Sequence, residues 1–248
     1  MHSVSAREAG DKSLLRALAD EASDALARQV EVVGLCLIGS VARGNERPTS
    51  DVDLIVLCEA PCSARRLLTL LPAAIDGSRL TLLPYTNASW QRQVDRGDLF
   101  LTHVAGEGIV LYDRDGRMAA ALASVRERVP DVKGEKERQI ARLNPYRDAR
   151  RLKGNCLFAL ARAYSVGKAL AIAHTVELGA PTFVKEEAFT SVARRRPHLA
   201  PAVATLRQLR PFYDVTLGRF PQPLPFDYHG AEAHLADAIR AADQLADG

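Results

Sequence analysis

Two aspartates separated by one residue, Asp51-Val52-Asp53, follow a Gly39-Ser40 pair after an interval of ten residues. On a strand, positions two apart project from the same face, so both carboxylates would stand side by side. Two such charges repel unless a cation lies between them. Hard carboxylate oxygens together with phosphate oxygens are the donor set that Mg²⁺ prefers. A metal held this way bridges carboxylates and a triphosphate, neutralises developing charge and orients an attacking hydroxyl. Gly39 has no Cβ, so its backbone can approach a phosphate closely. Ser40 adds a hydroxyl and an N–H at the start of a short helix over residues 41–44, where anions bind readily. Arg43, one turn on, can reach the same phosphates as a bidentate donor. A solvent-facing pair of aspartates on an edge strand would leave the Gly-Ser turn and the apolar positions Val52, Leu54 and Val56 unexplained.

The elements that must carry these residues can be read from periodicity. Residues 11–29 place Leu14, Leu15, Leu18, Ala22, Ala25 and Leu26 on one helical face. Residues 30–38 are nearly continuous Val, Leu and Ile, the pattern of a strand covered on both sides. Residues 45–50 form a loop that returns the chain to a second strand beside the first. In that strand, residues 51–57, Asp51, Asp53, Ile55 and Leu57 face one way and Val52, Leu54 and Val56 the other. A short helix over residues 63–71, a strand over 79–85, a capped helix over 87–96, an amphipathic segment over 99–104 and a strand over 109–112 follow, closed by the turn at 113–116. After Gly116 the strand signals stop. Helices are expected at residues 118–129, 136–143, from the 150s to Leu178, and at 185–194, 201–210 and 231–245, with a proline-rich loop at 220–225. The fold class is therefore α+β: strands with flanking helices over residues 1–130, then an all-α helical bundle over residues 131–248. Residues 130–134 are the expected linker.

Composition agrees with a globular protein: 47% hydrophobic, 25% charged and 6% aromatic. No uninterrupted apolar run of about 18 residues exists, so no membrane span is expected, and the N-terminus lacks the apolar core of a signal peptide. A cytoplasmic location is the expectation. Cys36, Cys58, Cys62 and Cys156 lack a second Cys/His pair at zinc-ligand spacing and read as plain core residues. The net charge of +3 is unevenly shared, −3 over residues 1–125 and +6 over residues 126–248. A basic half beside a carboxylate-bearing half suits a polyphosphate or nucleic-acid ligand. A merely solvated basic surface fits the charge equally well.

The run GSVARGNERPTSDVDL resembles the signature of the DNA polymerase beta-like nucleotidyltransferase superfamily. Its small branch of minimal nucleotidyltransferases and aminoglycoside nucleotidyltransferases is the most similar. The segment LFLTHVAGEGIVLYD looks like the one that closes the domain in many members, so the resemblance covers roughly residues 30–115. It implies that Gly39 and Ser40 hold a nucleoside triphosphate and that Asp51 and Asp53 bind a catalytic Mg²⁺. The implied activity is transfer of a nucleoside monophosphate, most often AMP, to a hydroxyl on a small molecule, RNA or protein. The helical half is similar only in general character to the substrate-binding or HEPN-like domains that often follow, which also implies a possible homodimer or a toxin–antitoxin-type partner.

One departure from the family matters. Its usual third carboxylate, on the next strand, is replaced by Thr81, which cannot take a proton near neutral pH and is a poor metal ligand. Asp76 could substitute, a base could come from the helical half, or catalysis could be weakened or absent in a nucleotide-binding regulator. In the helical half, Lys168 sits in an apolar helix and is a candidate phosphate ligand, against the alternative that it snorkels to water. Arg147, Arg150, Arg151 and Lys153 form a basic run that could meet phosphates or simply be solvated. A nucleic-acid-binding module built on the basic helices is a third reading.

Overall fold

The computed structural model describes residues 3–47, 50–152, 156–217 and 230–248. Pro48 and Thr49 of the connecting loop, Lys153 of the basic run and the proline-rich loop at 220–225 lie outside the described residues. The chain divides into two compact units, Met1–Pro130 and Asp131–Gly248.

The first unit is built on four strands, β1 (Val32–Ile38), β2 (Val52–Cys58), β3 (Leu80–Thr86) and β4 (Ile109–Asp113), in the order β3-β2-β1-β4. β2 is antiparallel to β1 and parallel to β3, and β4 is antiparallel to β1. The sheet is therefore mixed, the type that the family resemblance implies. Every residue of β1 is buried, as an unbroken apolar run requires when both faces are covered. One face packs on α1 (Ser3–Ala27): Leu15, Ala19, Ala22 and Leu26 meet Leu35, Leu37, Val52, Leu54 and Val56. Leu14, expected on that face, is 64% exposed, and Ala19 takes the inward position instead. The other face carries α4 (Asn87–Asp95), α5 (Leu99–Glu107) and α6 (Arg117–Arg126), where Trp90, Val94, Leu101, Val104 and Met118 cover Cys36, Ile38, Ile55 and Leu57. Trp90 anchors this layer by donating its indole N–H to the Ala121 carbonyl at 2.9 Å and stacking edge-on against Tyr85. Two short helices complete the unit, α2 (Gly39–Ala42) and α3 (Ala64–Thr69).

In the second unit α7 (Val132–Ala141), α9 (Lys185–Arg195), α10 (Ala200–Arg207), α11 (Arg210–Thr216) and α12 (Ala231–Asp247) surround the long α8 (Cys156–Glu177). α7 begins inside the expected linker, because the Asp131 side chain caps it by accepting from the Gly134 N–H. The helix expected at 201–210 is α10, which stops at Arg207, and a further helix follows it: Pro211 sits in the first turn of α11, where it starts a helix but cannot continue one. α8 is long and apolar enough to cross a bilayer, yet 61% of its most apolar window is buried inside the unit. It is the spine of this core, with Leu160, Tyr164, Leu170 and Ala171 packed against Phe189, Val203, Leu206, Phe212, Leu235 and Ala242. A Cβ on Gly167 would come within 2.9 Å of Leu206, so this glycine admits a neighbouring helix. Cys36, Cys58 and Cys156 are buried free thiols as expected, whereas Cys62 is half-exposed. Burial pushes the Cys36 thiol up to about 12 and that of Cys58 to about 11, so neither is a thiolate near neutral pH.

Candidate active site

β1 ends at Ile38, and the chain turns at once into α2 with no side chain capping its first N–H groups. The turn needs Gly39, whose φ of +77° lies in the left-handed region. Register places Asp53 directly across from Ile38. A Cβ built on Gly39 would stand 2.6 Å from Asp53 Oδ2. The Gly-Ser turn and the carboxylate, fourteen residues apart in sequence, thus touch. Asp51 lies one residue before β2 rather than within it, and both aspartates are half-buried. The connecting loop is held at each end: the Asn45 N–H donates to the Ser40 carbonyl, the Arg47 N–H to Ser50 Oγ, and the Ser50 N–H to the Arg47 carbonyl. Arg79 adds a tie by donating to the Ser50 carbonyl at 2.7 Å.

On the other side of Asp53 the register partner is Thr81. Neighbours in register share a sheet face, so Thr81 is the side chain that β3 offers beside Asp53, and it is exposed. Asp76 is no substitute already in place. It caps the turn Gly77–Arg79, accepting from the Ser78 N–H at 3.1 Å and the Ser78 hydroxyl at 2.5 Å. Those hydrogen bonds hold its carboxyl below the usual range, the reverse of what a general base needs.

Arg43 follows α2 as expected, but its Nη1 pairs with Glu107 Oε2 at 2.7 Å. Glu107 closes α5 and carries no motif of its own in sequence. Lys168 lies in the second unit, half-buried, with its ammonium 5.8 Å from the Tyr213 ring centroid, a cation–π distance. Part of the basic run is committed inside the same unit: Arg147 forms two bonds to Asp243, at 2.6 and 2.9 Å, and Arg151 pairs with Asp148.

Residues 20–117 match the family described as Polymerase beta, Nucleotidyltransferase. That stretch contains all four strands, the Gly39-Ser40 turn and both aspartates. Over this stretch, about two fifths of the chain, the sequence is similar to the polymerase beta nucleotidyltransferase family. Two solved structures are similar at low identity. Spectinomycin adenyltransferase AAD(9) from Enterococcus faecialis, solved with ATP and spectinomycin, is 12% identical over 91% of this chain and 99% of that one, with a TM-score of 0.47. A nucleotidyltransferase-like protein from Exiguobacterium sibiricum 255-15 is 16% identical over 89% of this chain and 70% of that one, with a TM-score of 0.37. No curated protein matches the sequence.

Within the first unit, the donor set at Asp51 and Asp53 suits a hard divalent cation that keeps water and phosphate oxygens in its shell. Among the described residues no group of three or more His, Cys, Asp or Glu is placed to hold a metal without such added ligands.

Proposed function

We propose that the N-terminal unit binds a nucleoside triphosphate with Mg²⁺ and transfers its nucleoside monophosphate, AMP foremost, to a hydroxyl acceptor on a small molecule, RNA or protein. The observation that carries this reading is the contact between the left-handed Gly39 turn and Asp53 Oδ2. It presses a Cβ-free backbone approach for phosphate against a carboxylate suited to a metal. When bound, Mg²⁺ would supply charge neutralisation at the triphosphate. The chain's own part is positional: Asp51 and Asp53 fix the cation's place, Gly39 and Ser40 present backbone N–H groups to phosphate oxygens, and Arg43 offers guanidinium N–H donors. Positioning and electrostatics of this kind provide most of the catalysis in phosphoryl-type transfer. The helical unit is proposed as the acceptor-recognising part, and a cytoplasmic location goes with the reading.

A second reading, a nucleotide-binding regulator with weak or no turnover, is favoured by Thr81 standing in register beside Asp53 where the family resemblance implies a carboxylate. One assay separates the two. The protein is incubated with Mg²⁺ and each labelled nucleoside triphosphate, and pyrophosphate release or labelled acceptor is measured for wild type, Asp53→Ala and Thr81→Asp. The enzyme reading expects wild-type turnover that Asp53→Ala abolishes. If wild type and Asp53→Ala are indistinguishable while nucleotide still binds, the enzyme reading is wrong. A gain of turnover in Thr81→Asp alone would identify a site that kept its grip and lost its base.

A further inference from the structure

Arg43 and Glu107 are 64 residues apart in sequence and form a bond of 2.7 Å. It differs from an ordinary surface pair in three respects. The side chains are only 22% and 26% exposed, so the pair is screened less than a solvated one. Both backbones are tightly fixed. Arg43 closes the α2 turn that starts at Gly39. Glu107 precedes Gly108, where a Cβ would stand 2.5 Å from both Cys36 Sγ and the Val104 carbonyl oxygen. Finally, the Arg43 Nε–H is buried and has no acceptor among the described residues.

An arginine carries five N–H donors in a rigid fork. Glu107 accepts at one corner only, so the guanidinium is oriented but not saturated. A buried donor without an acceptor is costly in a folded protein and calls for a group that would satisfy it. Arg43 lies three residues beyond Ser40, and a phosphate oxygen is the acceptor that a guanidinium fork suits best. His103, one turn earlier on α5, brings its Nδ1 to 3.5 Å from the same Glu107 oxygen. Glu107 is therefore the joint between the α5–β4 connection and the phosphate turn.

We propose that Glu107 is a positioning residue: its carboxylate holds the Arg43 guanidinium in the orientation that receives the triphosphate, although Glu107 itself touches no substrate. The proposal rests on the reading of Gly39, Ser40 and Asp53 as a metal–triphosphate site. Without Glu107 the arginine chain must be ordered by the ligand at the ligand's cost, so nucleotide affinity falls.

The test is a double-mutant cycle on nucleotide binding by the full chain, with the four ribonucleoside triphosphates and Mg²⁺ as probes, read by calorimetry. Arg43→Ala and Glu107→Gln should each weaken the tightest-bound nucleotide about 10-fold. The double variant should bind no more weakly than Arg43→Ala alone, an outcome that general structural damage would not produce. Glu107→Asp, which keeps the charge but draws it back one methylene, serves as the second variant. Its smaller loss should likewise vanish in the Arg43→Ala background. Additive losses, or full affinity in Glu107→Gln while Arg43→Ala is impaired, overturn the role given to Glu107 and leave the site standing. A wild type that binds none of the four, or an Asp53→Asn variant that binds as wild type does, overturns the site itself and this proposal with it.

Discussion

Acidic side chains in the two units are used in contrasting ways. In the helical unit Glu177 is enclosed by two cations, Lys136 at 2.8 Å and Arg196 at 3.1 Å, with the His174 ring at 3.2 Å. Burial pushes its carboxyl up, but the Lys136 hydrogen bond and charge, helped by His174 and Arg196, outweigh that and leave it lowered. Glu186 similarly gathers Arg207 and Arg210. In the first unit Asp53 faces the Gly39 turn, and Arg43, which closes that turn, is paired with Glu107. Carboxylates that gather cations within their own unit hold helices together. Asp53, set against a Cβ-free turn, belongs to the proposed metal–triphosphate site.

The sharpest way to break this contrast is at Asp53. Asp53→Ala should lower nucleotidyl transfer by at least about 100-fold, since an electrostatic element of the reacting site is removed. Its thermal midpoint should move little. A variant that unfolds while keeping residual activity would place Asp53 among the structural carboxylates. Glu177→Gln should do the opposite. It leaves Lys136, only 10% exposed, without its carboxylate, and should cost about 2–4 kcal/mol of stability in chemical denaturation. Weakened nucleotide binding with an unchanged midpoint would erase the distinction from the other side.

Gly39→Ala lies between these extremes. The left-handed φ and the 2.6 Å approach to Asp53 make an added methyl strained, for about 1–3 kcal/mol, and nucleotide affinity should fall with it. Unaltered affinity at lowered stability would make the turn a structural corner only. The smallest effect belongs to His174, fully buried with Nε2 on the Leu245 carbonyl. Burial lowers its pKa from 6.5, assisted by Lys136 and Arg196 and opposed by Leu245 and Glu177. The unfolded chain therefore takes up a proton near pH 6.5 that the folded chain refuses. Stability is full above that pH and declines below it. Denaturation midpoints at pH 8, 7, 6 and 5.5 should show the decline, and His174→Gln should flatten it.

The placement of Asp53 was legible in the sequence because strands convert spacing into geometry: alternation around it sends Ile55 and Leu57 to one core and Val52, Leu54 and Val56 to the other. Thr81, which the family resemblance sets in the place of a third carboxylate, stands in register beside Asp53. Glu107 was missed, because a contact 64 residues distant leaves no local period, and a lone Glu before a Gly carries no motif. The charge of the second half was the least informative signal. Arg147, Arg196, Arg207, Arg210 and Lys136 all have acidic partners within that unit, and composition cannot distinguish a paired arginine from an available one. α11 escaped notice because Pro211 reads as the end of a helix as readily as its beginning.

The register of β2 has a consequence for the reliability of folding. Asp53 is locked between Ile38 and Thr81. A slip of one residue would exchange Val52 for Asp53 and drive a carboxylate into the apolar layer formed with α1. Misaligned sheets are thus penalised by the charge of Asp53 itself. A molecule that has reached its stable sheet has passed its own inspection, with the aspartate already delivered to the glycine turn.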